Sequence, residues 1–172
     1  MNQRPASSEY MNEVSHYVSL VPVEGDISTI FRAQTEEMVA FFSSLTEEQG
    51  NHRYAPDKWS IKQMVGHLTD TCRIMSYRLL RMARGDTTPL AGFEENDYVR
   101  NANFEVFSLK ELLAHYKLVR ESTQMLLESL PEEAWTRKGT VNNGPVSVRA
   151  QVCILIGHEF HHLNILKERY LA

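Results

Sequence analysis

The sequence predicts an all-α protein, a four-helix bundle with a long connection between its second and third helices. Apolar residues recur at three- and four-residue steps in four separate segments, which is the spacing of a helix face. Favourable N-cap residues stand before these segments, and no segment shows the convincing alternation that is typical of a strand. Four amphipathic helices of roughly 18–25 residues each are typical of a bundle around one apolar core.

The first two helices are delimited by start and stop signals. We expect the first helix to begin after Asp26 or Ser28, and the second to begin at the N-cap residue Ser60 and to stop at Gly85. The first helix carries the apolar residues Ile27, Ile30, Phe31, Met38, Phe41, Phe42 and Leu45. The second helix carries Ile61, Met64, Leu68, Cys72, Met75, Leu79 and Met82.

The last two helices have equally clear boundaries. Ser108 and Glu111 have the spacing of a capping box, and Pro131 ends the third helix. This helix runs through Leu109, Leu112, Leu113, Tyr116, Val119, Thr123, Leu127 and Leu130. Residues 139–145, with the sequence GTVNNGP, are predicted to be a loop. Ser147 is the predicted N-cap of a fourth helix that runs almost to the end of the sequence.

Two stretches fall outside the predicted helices. Residues 1–25 lack strong periodicity, so we expect an extended or partly ordered arm there and a single domain over residues 26–172. Residues 86–107 form a long connection, and connections of this length are usually functional or crossover segments. We expect this connection, which includes Phe93 and Tyr98, to cover the mouth of a functional site.

Composition excludes several classes of function. The 172 residues carry a net charge of −4 with scattered Lys and Arg, so there is no electrostatic case for nucleic-acid binding. No apolar run approaches the ~20 residues of a membrane-spanning helix, and the first residues do not resemble a signal peptide. Cys72 and Cys153 do not make a disulfide framework, and reduced thiols are the simpler interpretation. We therefore expect a cytoplasmic protein.

The most informative motif lies at residues 158–162, His-Glu-Phe-His-His, which contains the H-E-x-x-H pattern of zinc proteases. On a helix, His158 and His162 would lie about 40° apart in rotation and ~6 Å apart in rise, so both can bind one metal ion. A metzincin needs Gly and His at the positions of Ile165 and Glu168. Other zinc proteases take a glutamate from a later helix, and only ten residues follow His162 in this sequence. We therefore expect the third ligand to lie upstream.

Helical-wheel positions indicate His67 as that third ligand. At ~100° per residue, His158 and His162 lie toward one margin of the apolar arc of the fourth helix. His67 holds the same margin on the second helix, so the three side chains could converge on one ion. The alternative is that each histidine is a packed core residue. His115 on the third helix is a further candidate pocket residue, and His161 falls outside the apolar arc.

Two carboxylates near these histidines are candidate functional groups. Glu159 lies near the middle of the apolar arc, where an unpaired carboxylate is costly. It is either a catalytic general base or the partner of an Arg or Tyr from another helix. Asp70 lies one helical turn after His67, and it either orients a ligand or bound water or is a solvated surface residue.

Two stretches resemble motifs of the DinB/YfiT-like superfamily. Residues 59–70, WSIKQMVGHLTD, resemble its second-helix motif, and residues 157–166, GHEFHHLNIL, resemble the motif of its last helix. The similarity extends over nearly the whole chain. The resemblance implies a four-helix bundle, often dimeric, that holds one divalent ion through three histidines. On matching positions these histidines are His67, His158 and His162.

The resemblance also implies a range of activities. The family includes metal-dependent hydrolases, and S-transferases or isomerases that use a low-molecular-weight thiol. We take hydrolysis of a small molecule as the default reaction and thiol transfer to an electrophile as the alternative. A non-catalytic, metal-stabilised dimer or binding module is the third interpretation. Imidazole ligands suit several metals, of which zinc and nickel are the leading candidates. The expected partners are a small-molecule substrate and a second copy of the chain.

Overall fold

The computed structural model describes residues 1–171, and within them lie seven α-helices and one two-stranded sheet. The helices are α1 (Ser15–Ser19), α2 (Ile27–Ser43), α3 (Glu47–Asn51), α4 (Ile61–Ala83), α5 (Glu95–Asn101), α6 (Leu109–Glu128) and α7 (Val148–Ile165). The strands are β1 (Lys138–Val141) and β2 (Gly144–Ser147). Short 3₁₀ helices lie at Ser7–Glu9, Asn12–Val14, Phe104–Val106 and Glu132–Thr136, and a π-helical turn lies at Leu166–Tyr170. In this part of the chain no helix combines the length and apolar character needed to cross a membrane.

The four long helices α2, α4, α6 and α7 begin where the sequence predicts. Asp26, Ser60, Ser108 and Ser147 each accept a hydrogen bond from the backbone N–H three residues further on, at 3.0–3.2 Å. Each N-cap of this kind stabilises a helix by about 1 kcal/mol. In α4 and α6 the side chain three residues on returns a bond to the cap, which completes a capping box. The predicted four-helix bundle is confirmed.

The core of the bundle consists of two apolar clusters. α4 packs on α6 and α7, and α2 packs on the same two helices from the other side. One cluster, toward the end of the bundle that carries the strands, includes Phe31 and Leu79. The second cluster, toward the opposite end, includes Phe42 and Leu68. Burial of each such side chain contributes roughly 1.5–3 kcal/mol, so these clusters fix the spacing between α4 and α7.

The helix α7 is buried on all sides over residues 148–159. The bundle helices cover one side of it, and α1 covers another. The sequence predicts a single apolar arc on this helix, and the structure buries the remaining side as well because the N-terminal segment packs there. Polar side chains inside α7 therefore need partners. The buried ones are Arg149, Gln151, His158, Glu159 and His162.

Residues 1–25, expected to form an extended or partly ordered arm, are folded against the bundle. The Glu9 carboxylate accepts two hydrogen bonds from Arg149, Nε to Oε2 at 2.8 Å and Nη2 to Oε1 at 2.5 Å. Gly157 of α7 permits the close approach of α1, because a Cβ at this position would overlap the Tyr17 carbonyl. An ion pair and a close helix contact anchor this segment, and neither produces hydrophobic periodicity in the sequence.

The predicted loop at residues 139–145 is wrong, because these residues form most of a β-hairpin. β1 and β2 pair antiparallel. Asn142 and Asn143 make the two-residue turn with φ values of 50° and 65°. Positive φ at both positions is typical of the type I′ turn, which Asn tolerates well. The connection between α4 and α6 joins this hairpin through a parallel bridge between Leu90 and Val141.

Candidate metal centre

Three histidines meet between α4 and α7. His67 lies near the start of α4, and His158 and His162 lie one turn apart near the end of α7. The Nε2 atoms of His67 and His162 each lie 3.1 Å from Nε2 of His158. The three residues are buried, with exposed fractions of 5%, 7% and 9% for His67, His158 and His162. The structure therefore brings together the three histidines that the sequence indicates.

The spacing of the three imidazoles fits a divalent metal ion. Imidazole nitrogens bind zinc at ~2.0–2.1 Å, which separates two ligands by roughly 2.9 Å at a 90° angle and roughly 3.4 Å at 109°. The two Nε2 separations from His158, both 3.1 Å, fall between these limits. One ligand atom from each residue lies within 4.8 Å of the other two. One cation would bind the lone pairs of all three Nε2 atoms. Without a cation, two neutral imidazoles whose Nε2 atoms are in contact form a hydrogen bond only if one of these atoms carries the proton and donates it to the other.

Burial keeps these imidazoles in the neutral form. It lowers the pKa of His67 to about 4. It also lowers the pKa of His158 and that of His162 well below the usual range, and the neighbouring imidazoles add to this effect. Since neutral imidazole is the form that binds metals, these side chains are in the metal-binding state at ordinary pH.

Aromatic side chains enclose the histidine cluster. The Trp59 ring, just before α4, lies 4.7 Å from the His67 ring between centroids. Tyr17 of α1 contacts His158 edge-on, with 5.5 Å between ring centroids. These contacts restrict the rotation of the imidazoles and exclude water from part of the cluster. Sequence analysis missed Tyr17, and the small residue Gly157 opposite it is the signal that could have indicated a close helix contact.

The outer ring nitrogens of two histidines have no protein partner. Within residues 1–171, neither Nδ1 of His158 nor Nδ1 of His162 forms a hydrogen bond, and both atoms are buried. Metal-binding histidines commonly donate this N–H to a carboxylate, a carbonyl or a water. Asp70, the sequence candidate for such a role, instead accepts a hydrogen bond from Arg73 at 3.0 Å, and its side chain is 26% exposed.

Glu159 is fully buried and is engaged by two residues of α6. Its Oε1 accepts a hydrogen bond from Arg120 Nη1 at 3.0 Å, and its Oε2 accepts one from the Tyr116 hydroxyl. Arg120 also donates to the carbonyl of Phe31 and to the side chain of Gln34. Both carboxylate oxygens of Glu159 thus have partners on another helix, which is the alternative to a catalytic base that the sequence leaves open. These contacts favour a structural role.

The other candidate histidines lie outside the cluster. His115 is exposed on α6 and lies beside Phe107, with 5.9 Å between ring centroids. His161 packs edge-on against His162 at 5.2 Å on one side and against His16 at 5.5 Å on the other. His161 therefore borders the candidate metal centre without contributing a nitrogen to it.

The connection over residues 86–107 approaches the histidines from one side. The Phe104 ring lies against Gly66, where a Cβ would overlap it, and Gly66 immediately precedes His67. Phe93 lines a cavity of about 260 Å³ that lies beside α4 and α7. That this connection covers the mouth of a metal centre stays a prediction.

The number of imidazoles defines what the centre could do. Three histidine ligands leave at least one coordination position of a four- to six-coordinate ion for water or substrate. Structural zinc sites normally have four protein ligands, whereas catalytic sites have three and an open position. In the described part of the chain the metal-ligating cluster comprises three residues, which matches the catalytic pattern.

Comparisons with known proteins agree with this architecture. The profile of the DinB superfamily matches residues 30–166. A curated protein of Oceanobacillus iheyensis named "putative metal-dependent hydrolase" is 27% identical over 129 residues, which cover 73% of this chain and 72% of that protein. All three clustered histidines lie within the range that the DinB profile matches.

Two solved structures have a similar fold. YfiT from Bacillus subtilis, described as "a probable metal-dependent hydrolase with an unusual four-helix bundle topology", matches with a TM-score of 0.70 at 16% identity, over 96% of this chain and 90% of YfiT. The mycothiol-dependent maleylpyruvate isomerase matches with a TM-score of 0.67 at 12% identity, over 79% of this chain and 57% of the isomerase. At these identities the likeness concerns the fold alone.

Proposed function

Because the chain belongs to the DinB superfamily and its converging histidines fit a metal ion, we propose that it is a divalent-metal-dependent enzyme that acts on a small molecule. His67, His158 and His162 are the proposed ligands. The observation that carries the proposal is the pair of 3.1 Å separations between Nε2 atoms inside a buried cluster. The name of the Oceanobacillus relative and the description of YfiT both support metal dependence.

The residues of this chain have defined tasks in the proposed centre. An ion bound there would supply a Lewis acid that activates water or a thiol, or polarises a substrate oxygen. Burial keeps the imidazoles unprotonated, and the rings of Trp59 and Tyr17 hold them in position. We propose zinc or nickel as the ion, because both suit a site made of imidazole nitrogens.

Hydrolysis of a small molecule is the proposed reaction. Transfer of a low-molecular-weight thiol is the second candidate, which the fold shared with the mycothiol-dependent isomerase favours. Two substrate screens with zinc- and nickel-loaded protein would separate these reactions, one with esters and amides and one with electrophiles plus a thiol. Turnover without thiol that is lost in His67→Ala would support hydrolysis. Turnover only with thiol would support transfer, and no turnover in either screen would favour a non-catalytic, metal-stabilised module.

Elemental analysis tests the proposed ligand set. Protein purified without chelators should carry about one equivalent of zinc or nickel, whereas His67→Ala and His158→Ala should carry less than about a tenth of that. His161→Ala is the matched control, because it removes a histidine that borders the cluster without contributing a nitrogen to it. Equal metal content in His67→Ala and the wild-type protein would overturn the assignment.

We also propose that the protein is cytoplasmic and that it forms a homodimer. The family resemblance implies the dimer alone. Cys72 and Cys153 are both free thiols, as is usual in a reducing compartment. Leu118 and Met125 on α6 are 65% and 71% exposed, and they are the apolar side chains that we expect a second copy to cover. Light scattering should give the mass of two chains, and Leu118→Lys should reduce it to one. A single-chain mass for the wild-type protein would contradict the proposed dimer.

A further inference from the structure

A second polar cluster lies between α4 and α7, outside the proposed set of metal ligands. Arg78 and Gln151 line the cavity of about 260 Å³. They are 7% and 3% exposed, respectively. A buried guanidinium ordinarily pairs with a carboxylate. Within residues 1–171, however, Arg78 has no acidic partner at ion-pair distance, and its side chain donates a hydrogen bond to a backbone carbonyl.

The guanidinium of Arg78 is held in a fixed position. Its Nη2 donates a hydrogen bond to the Ala91 carbonyl at 2.6 Å, and its Cζ lies 5.7 Å from the centroid of the Phe93 ring. These contacts leave Nε and Nη1 without a partner in the described chain, and the Gln151 amide likewise has none there. A largely buried guanidinium that is held in position, with two nitrogens free toward a cavity, is well suited to bidentate binding of a carboxylate.

These two residues lie on the same helix faces as the histidines. At ~100° per residue, Arg78 is about 20° around α4 from His67, and Gln151 is about 20° around α7 from His158. At ~1.5 Å rise per residue, Gln151 lies ~10 Å along α7 from His158. Thr71, one turn after His67, carries a buried hydroxyl that has no hydrogen-bond partner in residues 1–171. Thr71 therefore places an unpartnered polar group between His67 and Arg78 on this face of α4.

Residues of the N-terminal segment border both the cavity and the histidine cluster. Tyr10 and Val14 line the cavity, and Tyr17, one turn after Val14, contacts His158. Glu95 also lines the cavity, and it is exposed at the rim. The buried charge in the cavity is thus positive, whereas the negative charge lies where solvent screens it.

We propose that this cavity is an anion subsite that binds a carboxylate of the small molecule whose reacting group lies at the histidines. The Arg78 guanidinium pairs with the carboxylate, and the Gln151 amide donates a hydrogen bond to it. At ~30 Å³ for each water-sized group, the cavity holds roughly eight such groups, which is room for the carboxylate end of the ligand. This inference rests on the proposed function, and the carboxylate can belong to the substrate or to a thiol co-substrate.

Matched acid and amide probes test the subsite. Suberic acid monohydroxamate carries a metal-binding hydroxamate at one end and a carboxylate at the other, and its terminal carboxamide analogue lacks only the charge. By calorimetry on zinc-loaded protein, we expect the acid to bind at least about tenfold more tightly than the amide. 8-Mercaptooctanoate and its amide form a second pair, in which a thiol replaces the hydroxamate. A preference for the acid in the hydroxamate pair assigns the subsite to the substrate, and a preference confined to the thiol pair assigns it to the thiol.

Variants show whether the preference depends on Arg78. Arg78→Gln should reduce the advantage of the acid to less than about threefold, and Arg78→Lys should retain part of it. Arg73→Gln is the matched control, because it removes an exposed arginine of α4 that is paired with Asp70, and it should leave the preference intact. Equal affinity for acid and amide in both pairs, no detectable binding of either acid, or a preference that survives Arg78→Gln would each overturn the subsite. Zinc content measured on the same samples reports separately on the proposed metal centre.

Discussion

At the scale of single residues, Glu159 shows how a motif residue acquires a role from its neighbours. Its carboxylate meets the guanidinium of Arg120 where both side chains are fully buried. Such a pair is costly to break, because the remaining charge stays desolvated. The contacts of Arg120 with α2 extend this interaction across the bundle. We therefore regard Glu159 as an anchor between α7 and its neighbours.

Replacing Glu159 should therefore affect stability more than metal binding. Glu159→Gln should lower the free energy of unfolding by about 3 kcal/mol, because it leaves Arg120 uncompensated. Urea denaturation of the metal-free protein measures this change, and elemental analysis should still find about one equivalent of metal. Tyr116→Phe, which removes one hydrogen bond and keeps the ion pair, should cost only about 1 kcal/mol. Unchanged stability with lost turnover on an identified substrate would instead support a general base.

The sequence indicates residues on one helix more readily than the residues of other elements that contact them. His67, His158 and His162 could be found because helical periodicity fixes the angle of each residue on its own helix. The partners Arg120 and Tyr17 lie on other elements, and helix periodicity carries no information about which residue of another helix will face Glu159 or His158. The sequence therefore indicates the cluster itself better than its surroundings.

At the scale of elements, the N-terminal segment depends on the ion pair between Glu9 and Arg149. The hydrogen bond from Arg149 holds the pKa of Glu9 at about 2, below its ordinary value of 4.5. Because the folded-state pKa is lowered, the pair stabilises the protein above pH 4.5, and this contribution is lost as pH falls from 4.5 toward 2. Glu9→Gln should cost about 2–3 kcal/mol near neutral pH. Unfolding measured at several pH values should show that difference shrinking below pH 4.5, and a constant difference down to pH 2 would contradict the account.

The contact between α1 and α7 should be sensitive to the addition of a single methyl group at Gly157. Gly157→Ala places a Cβ on the Tyr17 carbonyl, so α1 must move away from the histidines. We expect faster proteolysis within residues 1–25 and a lower melting temperature. Gly50→Ala is the control, because the nearest atom to a Cβ there is 3.4 Å away and little change is expected. Equal proteolysis rates in the two variants would show that α1 does not depend on this approach.

The elements differ in how far the sequence predicts them. The four long helices could be placed because each combines a cap residue, such as Ser60 or Ser147, with many turns of periodic apolar residues. The β-hairpin could not, because each of its strands has four residues, too few to establish alternation. The pair Asn142-Asn143 was its available signal, since Asn is favoured at the positive φ values of a two-residue turn.

At the scale of the whole molecule, the proposed ion would join two helices that are far apart in sequence. His67 and His158 are separated by 91 positions. A ligand that binds only the folded state adds about 2.7 kcal/mol of stability at 100 times its dissociation constant. Chelation with EDTA should therefore lower the melting temperature of the metal-loaded protein by roughly 5–10 °C. The same treatment should leave His67→Ala unchanged, and an equal shift in that variant would mean that the stabilising ion lies elsewhere.

The most direct test of the proposed metal centre is anomalous scattering from a crystal of metal-loaded protein. Data collected on both sides of the zinc or nickel absorption edge identify the ion and locate it in one measurement. We expect a single strong peak between α4 and α7, about 2.0–2.2 Å from Nε2 of each of His67, His158 and His162. A peak bound by other residues, or no peak at these imidazoles in protein shown to contain one equivalent of metal, would contradict the account.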